Sequence, residues 1–88
     1  MAAGADAVRD ALVRAFGSVR IDEGYDPSTM ETVFDFIAED RYFTVRVSRE
    51  FDADYAPGQL WVDLAQLGRF LRASTHGKAT VRRSGISN

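Results

Sequence analysis

The chain has 88 residues, enough for one domain with a modest core, since a chain of this size buries roughly 60–65% of the surface its unfolded form exposes. Hydrophobic residues make up 45% and charged residues 27%, a soluble globular balance, and the formal net charge is −2. There is no cysteine, which excludes a disulfide framework, a cysteine zinc site and a thiol nucleophile.

The opening segment MAAGADAVRD lacks the basic start and continuous apolar run of a secretory signal. No stretch approaches the ~20 apolar residues of a membrane-spanning helix. The expected setting is therefore cytoplasmic, away from the membrane. Residues 5–16 predict an amphipathic helix, with Val8, Ala11, Leu12, Ala15 and Phe16 recurring along one face. Asp6 is the expected N-cap, and Gly17 suits the left-handed position just past the C-terminus. Residues 18–22 then alternate as a short strand, with Val19 and Ile21 on one side. Residues 22–31 carry turn punctuation at Gly24 and Asp26-Pro27 and are expected to form a loop. Asp22, Glu23 and Asp26 lack the spacing of a calcium-binding loop, so no metal is expected there.

Residues 32–48, TVFDFIAEDRYFTVRVS, predict a β-hairpin. Closing it at Glu39-Asp40 pairs Ala38 with Arg41, Ile37 with Tyr42, Phe36 with Phe43, Asp35 with Thr44, Phe34 with Val45 and Val33 with Arg46. Strand side chains alternate faces, so this register gathers Phe34, Phe36, Phe43, Val45 and Val47 on one side. A slip of one residue would scatter them. Glu-Asp is a poor two-residue turn, although Asp40 tolerates a left-handed backbone.

Phe51, Ala53 and Tyr55 alternate with Asp52 and Asp54, which predicts a continuation of the second arm ended by Pro57-Gly58. Asp52 and Asp54 then share a solvent-facing side. The run QLWV leads into the second helix, with Trp61 expected in the core. Asp63 and Gln66 have capping-box spacing, and Leu64, Leu67, Phe70 and Leu71 form the apolar stripe that follows. Gly68 predicts close packing on the sheet. Residues 78–82 are either an edge strand or part of a mobile tail. Residues 84–88 are expected to be a flexible tail, because Ile86 is their sole large apolar side chain.

No catalytic constellation emerges, and no cofactor is expected. His76 is the single histidine and has no partner at a recognisable spacing. No serine lies in a G-x-S-x-G elbow. Gly77-Lys78-Ala79-Thr80 lacks the upstream glycine of a phosphate loop.

These readings define a single α+β domain over residues 1–83. It consists of an N-terminal helix, a three- to four-stranded antiparallel meander, and a second helix packed on the same face, followed by a basic C-terminal segment. With both helices on the aromatic face, the other face stays open and presents Val33, Ile37 and Tyr42 among Asp35, Arg46, Thr44 and Arg20. The function expected is that of a small non-enzymatic binding or adaptor protein. It would use that face to dock a protein partner or a second copy of the chain. Charge asymmetry raises an alternative. Residues 1–63 hold all 13 acids and carry −7, whereas residues 64–88 carry +5 through Arg69, Arg72, Lys78, Arg82 and Arg83. A basic segment of this kind can bind nucleic acid.

Overall fold

The structure is a computed structural model that describes residues 3–54 and 63–87. In chain order its elements are α1 (Ala3–Phe16), β1 (Ile21–Asp26), β2 (Glu31–Ala38), β3 (Arg41–Val47) and α2 (Arg49–Asp54). A 3-10 turn (Leu64–Gln66) then leads into α3 (Leu67–Ala73), followed by β4 (Lys78–Arg82) and β5 (Gly85–Ser87). The strands form one sheet in the order β1-β2-β3-β4-β5. Every neighbouring pair is antiparallel except β3 and β4, which run parallel. The α+β class expected from sequence holds, with five strands in place of three or four.

The hairpin of β2 and β3 has the register its apolar pattern demands, with Phe36 opposite Phe43 and Phe34 opposite Val45. Its turn is the two-residue one, and Glu39 and Asp40 have φ of 55° and 60°. Positive φ at both central residues matches the right-handed twist of the flanking strands. All five inward side chains, Phe34, Phe36, Phe43, Val45 and Val47, are buried.

The helices cover that face. Leu12 and Val8 of α1, Phe51 of α2, and Leu67 and Leu71 of α3 are buried against it, and Ala79 and Val81 extend the same surface onto β4. Phe16 closes the end of α1 with its ring centroid 5.1 Å from those of both Phe36 and Phe43. Gly17 follows at φ 78°, and its N–H donates to the Val13 carbonyl at 2.8 Å, the helix ending foreseen from sequence. Asp63 caps the 3-10 turn, accepting from the Ala65 N–H at 3.0 Å. The Gln66 side chain meets the Asp63 carboxylate at 3.4 Å and not its backbone N–H, so the reciprocal pairing implied by the spacing takes a different form.

Several expectations are corrected. Residues 22–26 belong to β1 and not to a loop, because Gly24 pairs with Val33 and strand pairing continues to Asp26 opposite Glu31. The turn proper starts one residue later. The Ser28 N–H and O–H both donate to Asp26 Oδ1, at 3.0 and 2.7 Å, an Asx-type turn that reverses the chain.

Residues 49–54 form α2, not an extension of β3. Ser48 Oγ accepts from the Phe51 N–H at 3.2 Å, which starts a helical turn and swings Phe51 into the core. Asp52 and Asp54 therefore share no strand face. Asp52 Oδ1 instead accepts from the Ala5 N–H at 2.9 Å and satisfies an open donor at the start of α1. That task was expected of Asp6, which is exposed within the first turn.

Gly68 packs on α1 and not on the sheet. A Cβ at this position would lie 2.6 Å from the Ala15 Cβ. Lastly, β4 is an interior strand between β3 and β5 and not an edge, and the stretch expected as a tail supplies β5 over Gly85–Ser87. Ile86 stands opposite Val81 and packs against the core, so a single apolar residue suffices to anchor this short strand. Tyr55, Pro57-Gly58 and the QLWV run with Trp61 lie outside the described residues.

Candidate functional site

Alternation along β2 and β3 directs Val33, Asp35 and Ile37, with Tyr42, Thr44 and Arg46, to the face away from the helices. No described helix packs there. The face divides into three zones along the strands. At the hairpin end, Ile37 and Tyr42 stand directly opposite each other and are 68% and 59% exposed. In the middle, the Thr44 hydroxyl donates to Asp35 Oδ1 at 2.8 Å. At the far end, Val33 is half-buried beside Arg46, whose Nη1 donates to Asp26 Oδ2 and Glu31 Oε1, both at 3.1 Å.

The five residues singled out from sequence thus share a face without forming one apolar patch. Ile37, Tyr42 and Asp35 stay together. Val33 and Arg46 lie toward the opposite end, and Arg46 is held between two carboxylates. Hydrogen bonds from Ser28 and then Arg46 bring the Asp26 carboxyl from 3.8 down to about 2, and Asp26 and Glu31 in turn raise Arg46. Tyr42 is shifted upward, first by partial desolvation on the sheet and then by the neighbouring Asp35 carboxylate.

Around Ile37 and Tyr42 the surface dips into a shallow depression of about 180 Å³, edged by Arg20, Asp22 and Asp35. Asp22 stands directly opposite Asp35, so two carboxylates flank the apolar pair. Arg20 meets Asp22 at 3.4 Å, with both side chains largely in water.

The C-terminal cations do not converge. Arg72, on α3, is engaged through Nε and Nη2. Its guanidinium donates to both Glu39 oxygens at 2.8 to 3.1 Å, donates to the Ala15 carbonyl at 2.8 Å, and lies 4.4 Å from the Phe16 ring centroid. Glu39 is correspondingly held below the usual carboxylate range. Arg69 is exposed on α3, in the helix layer. Lys78 and Arg82 project from β4 on the open face, where Arg82 Nη1 donates to Ser87 Oγ at 3.3 Å, and Arg83 stands in the β4–β5 turn.

Sequence reasoning missed two features. Arg41 reads as an ordinary hairpin residue, yet its guanidinium donates to the carbonyls of Arg72 and Ser74 at 3.0 and 2.6 Å and so closes the end of α3. The partners are 31 and 33 residues away, beyond any local signal. The second is a concavity of about 450 Å³ beyond the ends of β3 and β4, lined in part by Ser48, Arg49, Glu50 and Arg82. Of those four, the sequence pointed only to Arg82. His76 is exposed in the turn after α3, and among the described residues no three His, Asp or Glu side chains gather as a metal site. None of the described helices is long and apolar enough to cross a membrane.

The chain matches no protein-family model, no curated protein and no solved structure.

Proposed function

We propose that this protein is a small non-enzymatic binding module that docks a protein partner on the open sheet face at Ile37 and Tyr42. The observation that carries this reading is the exposure of these two large side chains at opposed positions, on a face no described helix covers. An open face of an antiparallel sheet is ordinarily polar. Cross-strand support of the hairpin contributes only about 0.2–1 kcal/mol and does not require side chains this exposed.

Charge selects the occupant. Asp22 and Asp35 flank the apolar pair, and Arg20 offsets one of them. The matching partner presents an apolar side chain beside a cation. A second copy would set the same carboxylates against each other, which disfavours self-association on this face. The runner-up, nucleic-acid binding through the C-terminal cations, is weakened by Arg72 being committed to Glu39. It predicts salt-dependent retardation of RNA or DNA that the double change Arg82→Ala, Arg83→Ala removes.

The test uses a short peptide of alternating leucine and arginine, followed through the backbone amide resonances of the whole chain. Saturable shifts at Asp35, Ile37 and Tyr42 that vanish in Ile37→Asp support the reading. Light scattering runs in parallel. A dimer that forms with concentration and is abolished by Ile37→Asp would assign the face to self-association instead. Shifts that are absent or unchanged in the folded variant leave the pair as hairpin support.

A further inference from the structure

We infer that the concavity beyond the ends of β3 and β4 is a binding site for a small ligand carrying one phosphate or carboxylate group. It lies at the opposite end of β2 from Ile37 and stands independently of the docking surface. β3 ends at Val47 and β4 at Arg82, and because the two strands run parallel their carboxyl ends lie side by side, tied by the Ser48 N–H to the Val81 carbonyl at 2.9 Å. Crevices outside the carboxyl ends of parallel strands are a recurrent place for ligands. The β1–β2 turn closes another side through Thr29 and Met30, and the space of about 450 Å³ matches small-molecule sites, which run from roughly 300 to 1,000 Å³.

Its chemistry comes from two guanidiniums. Arg49 and Arg82 line the same space, and among the described residues neither meets a carboxylate. Arg49 Nη1 donates to the Met30 sulfur at 3.5 Å, a weak acceptor, and Arg82 to the Ser87 hydroxyl. Arg46, close by on β3, shows the contrast, being paired with both Asp26 and Glu31. Arg46 offsets one of those two carboxylates, and its hydrogen bond to Glu31 holds that carboxylate in the wall. A planar guanidinium matches the paired oxygens of phosphate or carboxylate, and two of them can share one such group. Ser48 Oγ accepts from the Phe51 N–H, which leaves its own proton for a ligand oxygen. Met30 and Ala53 offer apolar surface for the body of the ligand. Glu50 is the remaining charge. It balances the lining to no net formal charge, so the preference for an anion rests on the two guanidiniums turning to one group and not on an overall positive field.

The test is an amide-resonance titration of the full chain, at low salt, with inorganic phosphate, phenyl phosphate and benzoate. The expected result is saturable shifts centred on Ser48, Arg49 and Arg82, with phenyl phosphate tighter than inorganic phosphate because of its apolar ring. The tighter of phenyl phosphate and benzoate identifies the anion. Arg49→Ala and Arg82→Ala should each weaken binding about tenfold, the scale of one charge-assisted hydrogen bond. Glu50→Gln should tighten it about threefold by removing a like charge. A gain of affinity cannot arise from a damaged fold, and the arginine side chains are exposed, so circular dichroism should be unchanged. Shifts that never saturate, or that persist in the double arginine variant, would overturn the inference. So would binding of thymidine oligonucleotides whose affinity climbs with length, the mark of a diffuse electrostatic footprint.

Discussion

Glu39 and Asp40 both hold a left-handed backbone, which costs a residue with a Cβ roughly 1–2 kcal/mol. The structure keeps them there through arginines from and onto α3. Arg72 grips the Glu39 carboxylate, and Arg41, just past the turn, grips the end of α3. The two reach in opposite directions, so the turn and the helix end hold each other. At the other end of the hairpin, the Asp26 carboxylate receives both the Ser28 turn and Arg46. Its depressed pKa links folding to acid. A carboxyl held lower in the folded state stabilises above its unfolded pKa and loses that contribution as pH falls through the folded value. The advantage of wild type over Asp26→Asn in urea midpoint should thus be full above pH 3.8 and fade as pH approaches about 2. An advantage that is unchanged at pH 2 would show that these hydrogen bonds do not stabilise the folded carboxylate.

At the scale of elements, close contact between helices decides more than propensity does. Within an isolated helix Gly68→Ala should gain about 1 kcal/mol. Here the added methyl would meet the Ala15 Cβ at 2.6 Å and force α3 off α1. Overpacking of that kind costs about 1–3 kcal/mol, so the net effect should be destabilising, read as a lower urea midpoint with an unchanged slope. A stabilised variant would mean that α1 and α3 separate at little cost. The same logic explains α2. Alternation of Phe51, Ala53 and Tyr55 allows a strand as readily as a helix, but Ser48 capping Phe51 and Asp52 reaching the start of α1 favour the helical turn.

For the molecule as a whole, the parallel contact of β3 and β4 fixes the architecture. It demands a crossover, which carries α2 and α3 over one face of the sheet and leaves the other face without a described helix. It also places β4 inside the sheet, so β5 is needed to cover it. Ending the chain after Arg83 should strip Ile86 from Val81 and expose β4 as an edge. Loss of that apolar contact is worth about 1–2 kcal/mol. At roughly 4–8 °C per kcal/mol for a domain of this size, it should be visible as a drop in Tm, together with faster amide exchange in β4. An unchanged Tm would mean that β5 adds nothing to the sheet.

The sequence by itself determined what depends on neighbours a few residues apart. The period of two in residues 32–48 fixed the hairpin register and the buried face, since any other pairing would have put Phe34, Phe36 and Phe43 on different sides. The three-four spacing of Val8, Leu12 and Phe16, with Gly17 behind them, fixed α1 and its end. The open face around Ile37 and Tyr42 was legible for the same reason. Tertiary structure decided the rest. Arg46 looked like a rim residue until the β1–β2 turn brought Asp26 beside it. Arg72 looked like a free cation until Glu39 arrived from 33 positions earlier. The cleft of Arg49 and Arg82 exists because strands distant in sequence end together. Such meetings are set by where a crossover lands, and the energies involved come from packing and charge pairing across the chain, which no local period records.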